Sequence, residues 1–211
     1  MAVLVAIGIG VAALALFAAL VVTPAAPGLE APARAELAGT GVTNPVTAVL
    51  LDYRSYDTLL ELVVVLLAAA AAQALALQEP EPAPLSGPLA EAAAGILTPG
   101  IVIVAGYLLW IGSKAPGGAF QAASLLAGGL ILMETVGKGV PPRRQAPARA
   151  LAGLGVAAFL FAGIAVAANT GTFLDYPAAL AGELILAIET AAVVGIAFAL
   201  LSLFRAGRTP V

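Results

Sequence analysis

The sequence predicts an all-α integral membrane protein with about six transmembrane helices and one short amphipathic or re-entrant helix. Of its 211 residues, 62% are hydrophobic and 10% are charged, whereas soluble domains are about half apolar and about a quarter charged. The apolar runs are continuous and do not alternate with polar residues, which favours membrane helices over the strands of a membrane barrel.

Six apolar segments approach the roughly 20 residues that a helix needs to cross a bilayer. The predicted spans are Val3–Val22, Thr58–Leu77, Glu91–Ile111, Gly117–Val136, Ala150–Ala168 and Pro177–Phe204. The first span has no cationic segment before it and is long for a signal peptide, so we expect it to be retained. The last span is longer than a bilayer requires, so it should tilt or project into the interface.

The composition excludes several kinds of site. The chain has no cysteine and no histidine, which excludes disulfides, Cys/His zinc sites, histidine-ligated haem and catalysis by a thiol or an imidazole. The net charge is only −3, and without a basic patch we expect no nucleic-acid partner. No cofactor and no metal site are predicted, so any chemistry falls to carboxylates, cations, hydroxyls and the backbone.

The distribution of cationic residues predicts the orientation. Six spans put both termini on one side of the membrane. The loops and terminus on that side carry Lys138, Arg143, Arg144, Arg149, Arg205 and Arg208, against Arg34, Arg54 and Lys114 on the other side. Cytoplasmic loops carry the excess of Lys and Arg, so we expect both termini to be cytoplasmic.

A segment rich in proline and glutamate, from Gln78 to Pro88, interrupts the apolar runs. Its composition is typical of an extended, exposed linker. It predicts three parts: a two-helix unit at residues 1–78, a linker at 79–90 and a four-helix unit at 91–211.

A polar block precedes the second span. Asn44 suits a helix N-cap and Pro45 suits the first helical position. The apolar residues that follow recur on one helical face: Val46, Val49, Leu50 and Tyr53. This pattern predicts a short helix that lies at the membrane surface or re-enters it, with Asp52 and Arg54 holding it in place.

Asp57 and Glu61 are four residues apart and share a helical face. Two carboxylates so placed can bind a hydrated cation or pass protons. The alternative is that they cap the second span, because negative charge is favoured at a helix N-terminus and Thr58 with Glu61 matches a capping box. In that case Arg54 simply neutralises them.

The sequence Pro116-Gly117-Gly118 lies between the third and fourth spans. Glycine allows unusual backbone angles and close approach of helices, which favours a tight interhelical turn here. The alternative is that this turn offers amides and carbonyls to an ion, as broken membrane helices do.

Two glutamates interrupt the last span. Glu189 is predicted near its midpoint, about 18 Å along a helix that rises 1.5 Å per residue. Ionisable groups at such depth usually face an interior, a partner or a water path. Glu189 is therefore either a proton or cation relay or a group that joins subunits, while Glu183 should lie on a different face. Near the inner end of the fourth span, Glu134 and Lys138 have the spacing of a structural i, i+4 ion pair.

Two blocks resemble parts of one group of membrane complexes. Residues 44–61 are similar to the MbhE-like segment that closes the A subunit of Mrp-type Na⁺/H⁺ antiporters and forms a small subunit of membrane-bound hydrogenases. The matching positions are Asp52, Tyr53, Arg54, Tyr56, Asp57, Thr58 and Glu61.

Residues 116–122 resemble the glycine block of the antiporter B subunit, the MnhB domain, whose four-span layout fits residues 95–204. Ser113 stands where the family usually has a histidine, which argues against a histidine-based proton role here. Ala119 and Ala123 replace two glycines of the family block.

The resemblance implies an accessory membrane subunit of an Mrp-type cation/proton antiporter in a prokaryotic cell membrane, not an enzyme. It further implies exchange of external H⁺ for internal Na⁺, with other antiporter subunits and membrane lipid as partners. Candidates for an ion path are Asp57, Glu61, Glu183 and Glu189. Two alternatives stay open, namely a redox-driven or otherwise coupled complex built from the same modules and a scaffold that conducts no ion.

Overall fold

The computed structural model describes residues 2–22, 28–75, 84, 87–139 and 145–207. This part of the chain is helical and contains no strand. It divides into two compact units, Met1–Ala35 and Glu36–Val211. The all-α prediction is therefore confirmed.

The first unit holds helix α1 (Ala2–Val22) and the short helix α2 (Glu30–Ala35). Large apolar side chains of α1, among them Leu14 and Phe17, are exposed. On α2, Arg34 donates a hydrogen bond to the Glu30 carboxylate at 3.0 Å.

The second unit contains the remaining described helices. They are α3 (Pro45–Ala48), which continues into a π-helical turn (Val49–Tyr53), α4 (Ser55–Leu75), α5 (Pro88–Ile111), α6 (Ala119–Thr135), α7 (Gln145–Leu151), α8 (Leu154–Thr170) and α9 (Ala181–Ala206). A short 3₁₀ turn, Leu37–Gly39, precedes α3.

Helices occupy most of each predicted span, although the bounds differ. The fifth predicted span, Ala150–Ala168, is interrupted, because α7 ends at Leu151 and α8 begins at Leu154, and residues 76–77 of the second span lie outside the described residues. By length and hydropathy, α4, α5 and α9 can cross a membrane, while α6, α8 and the Gly10–Ala19 part of α1 are shorter apolar helices. The last helix begins at Ala181 rather than at the predicted Pro177, because Pro177 opens a turn in which its carbonyl accepts the N–H of Leu180 at 2.8 Å.

Helix α9 lies at the centre of the second unit and packs against α4, α6 and α8. In the most apolar part of α9, 56% of the residues are buried, whereas in the corresponding part of α5 only 11% are buried. Small residues allow α8 and α9 to approach closely, since a Cβ added to Gly155 would lie 2.9 Å from the Cα of Ala192. The central position of α9 explains how this helix can bury a polar side chain.

The predicted ion pair between Glu134 and Lys138 is wrong. Glu134 instead accepts two hydrogen bonds from Arg205 of α9, at 2.6 and 2.9 Å. Lys138 pairs with Glu91 of α5 at 2.8 Å. The reason is that α6 ends at Thr135, so Lys138 is not on the helix and the i, i+4 geometry does not exist.

Parts of the sequence interpretation lie outside the described residues. These include most of the predicted linker and the cations Arg143, Arg144 and Arg208. The division into units 1–78 and 91–211 stays a prediction.

Candidate functional site

The start of the polar block and the turn that precedes the glycine block are separated by 70 residues in sequence but lie against each other in the structure. The side-chain amide of Asn44 donates to the carbonyls of Gly112, at 2.8 Å, and Ala115, at 3.0 Å. The backbone N–H groups of Thr43 and Asn44 both donate to the carbonyl of Ser113, at 2.9 and 3.0 Å. The segment before α3 therefore holds the turn between α5 and α6.

Asn44 also has the local role that its sequence position predicts. Its Oδ1 accepts the N–H of Val46 at 3.1 Å, and Pro45 is the first residue of α3. One turn further, the hydroxyl of Thr47 donates to Gly112 O at 2.6 Å. The predicted N-cap is confirmed, and the same side chain joins two parts of the fold.

The predicted apolar face of the short helix is divided between the surface and the interior. Val46 and Tyr53 are exposed, whereas Val49 and Leu50 are partly buried and Leu50 packs against the core. Thr47, Ala48 and Leu51 are buried. The helix is therefore set into the protein and does not lie on its surface by one apolar face.

The predicted capping box at Thr58 and Glu61 is wrong. Helix α4 begins three residues earlier, at Ser55. The hydroxyl of Thr58 donates to Leu50 O at 2.6 Å, so it ties α4 to the π-helical turn. That turn is closed by the N–H of Arg54, which donates to Val49 O at 2.9 Å.

The glycine block forms a tight turn between α5 and α6. Gly118 has a φ of +101°, a conformation that side-chain-bearing residues rarely adopt, and its N–H donates to Leu108 O at 2.8 Å. A Cβ added to Gly117 would lie 2.5 Å from Leu108 O, and one added to Gly118 would lie 3.1 Å from Glu189 Oε1. Pro116 is exposed at the tip of the turn. The turn thus brings the start of α6 directly onto a carboxylate of α9.

Glu189 is the buried carboxylate of this site. Its side chain is 3% exposed, and its Oε1 accepts the N–H of Ala119, the first residue of α6, at 3.2 Å. Its Oε2 is buried and has no hydrogen-bond partner among the described residues. Because α9 begins at Ala181, Glu189 lies about 12 Å along that helix rather than the predicted 18 Å.

A cavity of about 120 Å³ adjoins Glu189. Since a water molecule in the liquid takes up about 30 Å³, this space can hold several of them. The polar part of its wall is formed by Thr47, Thr58, Gln121, Glu189 and the backbone of Gly117 and Gly118. The rest of the wall is apolar and includes Leu50, Leu51, Leu62, Phe159 and Ile188. Residues of α3, α4, α6, α8 and α9 therefore build one chamber.

A wider groove of about 620 Å³ opens on the surface beside the cavity. Arg54, Asp57 and Glu61 line it, and Arg54 forms an ion pair with Asp57. Asp57 and Glu61 thus lie along one groove, as their spacing predicts, but they do not line the Glu189 cavity. Phe120 of α6 lines both the groove and the cavity.

The remaining candidates lie apart from this site. Glu183 is exposed in the first turn of α9. Asp52 is half-buried beyond the end of α3, and burial, with the nearby charge of Asp175, raises the pKa of its carboxyl. Among the described residues, no three acidic side chains converge in a group that would hold a metal ion.

Sequence reasoning gave no site role to three lining residues that matter here, Thr47, Phe120 and Gln121. Phe120 and Gln121 lie inside the glycine block at residues 116–122, but nothing in that block indicates a cavity. The available signal was indirect, because the polar block and the glycine block both lie at helix ends on the same predicted side of the membrane.

The comparisons with known proteins agree with this architecture. Residues 89–206 match the model of a family described as a domain related to the MnhB subunit of a Na⁺/H⁺ antiporter. No functionally curated protein shows a significant match to the chain.

Two solved structures are similar in fold. One is a chain of the membrane-bound sulfane sulfur reductase, an archaeal respiratory membrane complex, with a TM-score of 0.74 and 23% identity over 98% of this chain and 97% of that chain. The other belongs to the Mrp complex from Dietzia sp. DQ12-45-1b, with a TM-score of 0.63 and 27% identity over 95% of this chain. This chain spans only 25% of that second chain.

Proposed function

Because the chain belongs to the family of domains related to the MnhB subunit of Na⁺/H⁺ antiporters, we propose that it is an accessory membrane subunit of an Mrp-type cation/proton antiporter complex. The similarity to a chain of the Mrp complex supports this assignment. In this role the protein works with other membrane subunits and with lipid, and it catalyses no chemical reaction of its own.

Within that complex, the protein contributes a segment of an ion path. The observation that carries this proposal is the Glu189 carboxylate, which is 3% exposed and keeps one oxygen without a partner among the described residues. A carboxylate in such a place is costly and usually serves an ion or a proton. Asp57 and Glu61 line the neighbouring groove and form the outer part of the path, whereas Glu183 lies outside it.

The proposed location is the cell membrane of a prokaryote, with both chain termini in the cytoplasm. The charged side chains at one end of the second unit, Glu91, Glu134, Lys138 and Arg205, pair with one another. In this orientation these two ion pairs lie at the cytoplasmic ends of α5, α6 and α9. The site around Glu189 lies nearer to the opposite surface of the membrane.

A redox-driven complex is the second candidate. The observation in its favour is the fold match to a chain of the sulfane sulfur reductase complex, which covers nearly the full length of both chains. That match concerns the fold alone. Proteins that copurify in mild detergent separate the two candidates: antiporter subunits support the proposal, and subunits that carry metal clusters overturn it.

The ion path is tested in vesicles that contain the purified complex. We expect Glu189→Gln and Glu61→Gln to reduce Na⁺-driven proton movement while the complex still assembles. Thr190→Val is the matched control, because Thr190 is exposed on the same helix and its hydroxyl binds only the Leu186 carbonyl of its own helix. Unchanged transport in both glutamine variants would make the subunit a scaffold.

A further inference from the structure

The walls of the Glu189 cavity offer one charged group and a small set of neutral oxygens. Among the described residues that line the cavity, Glu189 is the one titratable side chain. The neutral side-chain oxygens belong to Thr47, Thr58 and Gln121, and the two threonine hydroxyls donate their hydrogens to Gly112 O and Leu50 O. A cation in this space would therefore meet one carboxylate, a few neutral oxygens and a largely apolar wall.

We propose that the ion held at Glu189 is a proton, carried on Oε2, and that the cavity contains water rather than Na⁺. This inference rests on the proposed function, since it specifies which of the two transported ions uses this site. Glu189 thus binds a proton and exchanges it with water molecules in the cavity.

The coordination needs of the two ions decide between them. A protein site that removes water from an alkali cation must replace the hydration shell with several oxygens. In the described lining of the cavity, the neutral side-chain oxygens of Thr47, Thr58 and Gln121 accompany the one carboxylate, and most of the wall is apolar. A protonated carboxyl, in contrast, needs one acceptor for its O–H and one donor for its other oxygen, and the Ala119 N–H already supplies that donor to Oε1.

Two opposing effects allow the proton to leave and to return. Burial in an apolar wall disfavours the charged carboxylate. The N-terminus of the 17-residue helix α6, whose first N–H points at Glu189, favours it. When the O–H bond on Oε2 breaks, the proton passes to a cavity water and the carboxylate keeps its hydrogen bond to Ala119.

Phe120 marks where the proton enters. Phe120 lines both the cavity and the outer groove that holds Arg54, Asp57 and Glu61. The proposed route of the proton therefore runs past Phe120, between Asp57 and Glu61 in the groove and Glu189 in the cavity.

The test is infrared difference spectroscopy on the intact complex, combined with transport. We expect a carbonyl stretch of a protonated carboxyl that is absent in Glu189→Gln, present in Thr190→Val and unchanged when K⁺ is replaced by Na⁺ at constant pH. A band that Na⁺ shifts or removes, or no band at any pH, would overturn the inference. If the band behaves as expected and Glu189→Gln still transports normally, protonation stands and the ion-path proposal fails.

A second pair of variants tests the route. We expect Phe120→Ala to speed the exchange of the Glu189 proton with deuterium, measured as the shift of the same band, because the cavity then opens to the groove. Phe161→Ala is the control, since Phe161 is 77% exposed on α8 and lines neither space. Equal exchange rates in the two variants would exclude this entrance.

Discussion

At the scale of single residues, Asn44 shows where local reasoning succeeds and where it ends. Its N-cap role follows from residue type and from the proline behind it, because both depend on neighbours in sequence. Its amide bonds to Gly112 and Ala115 depend on a turn about 70 residues away, and no local pattern encodes them. Glu189 is similar, since its place inside an apolar helix is readable from the sequence, but its distance from the start of that helix and its cavity are not.

The Asn44 contacts predict a clear effect on stability. Asn44→Ala should lower the free energy of unfolding by about 2 kcal/mol, because it removes the cap of α3 and the donor to Ala115 O, while Gly112 O keeps the Thr47 hydroxyl. Thermal unfolding in detergent measures this effect. Asn169→Ala is the matched control, since Asn169 is exposed and donates only to Ala165 of its own helix.

Asn44→Asp separates the two roles of this residue. Aspartate can still accept the Val46 N–H, but it has no hydrogens for the carbonyls of the turn. If Asn44→Asp is as stable as the wild type, the contact with the α5–α6 turn contributes nothing and only the cap matters.

At the scale of elements, the continuous apolar runs predicted where the apolar helices lie, and α4, α5 and α9 are long and apolar enough to cross a membrane. The helix ends were predicted less well. Helix α4 begins at Ser55, just after the π-helical turn that the Arg54 N–H closes, and α6 ends at Thr135, where Gly137 has a φ of +74° and the N–H of Lys138 donates to Met133 O. The mistaken Glu134–Lys138 pair has the same cause, because it assumed a helix that continues past its true end.

The pair that exists instead, Glu134 with Arg205, joins the ends of α6 and α9. Arg205→Met should destabilise the protein by about 3 kcal/mol, because it leaves a nearly buried carboxylate unpaired. Replacing both residues by methionine should cost less than Arg205→Met alone. Chemical or thermal unfolding of the three variants in detergent provides the comparison.

Lys138→Met is the control for this pair. Lys138 and Glu91 are about half exposed, and such pairs contribute under about 1 kcal/mol. A loss as large as that of Arg205→Met would mean that burial does not distinguish the two pairs.

At the scale of the whole molecule, the unit Glu36–Val211 joins the two sequence modules into one packed body. Helix α4 from the first module packs on α8 and α9 from the second, and Asn44 holds the α5–α6 turn. The sequence predicted an MnhB-like part, and the family match over residues 89–206 confirms it, whereas the MbhE-like unit stays a prediction. The sequence did not predict the contact between the two parts, because nothing local relates residues so far apart.

This packing predicts the behaviour of a split chain. When the chain is cut between Leu75 and Gly87 and the halves are coexpressed, a tag on one half should recover the other in mild detergent. Asn44→Ala in the first half should reduce this recovery, and Asn169→Ala in the second should not. Halves that separate completely would show that the modules fold together only through their covalent link.

The contact at Ser113 has a consequence for substitution at this position. Ser113 meets Thr43 and Asn44 through its main-chain oxygen, and its hydroxyl donates to the Trp110 carbonyl of the preceding helix. The junction thus makes no use of the hydroxymethyl group. Another side chain at position 113 should leave it intact, provided that the main chain keeps its path.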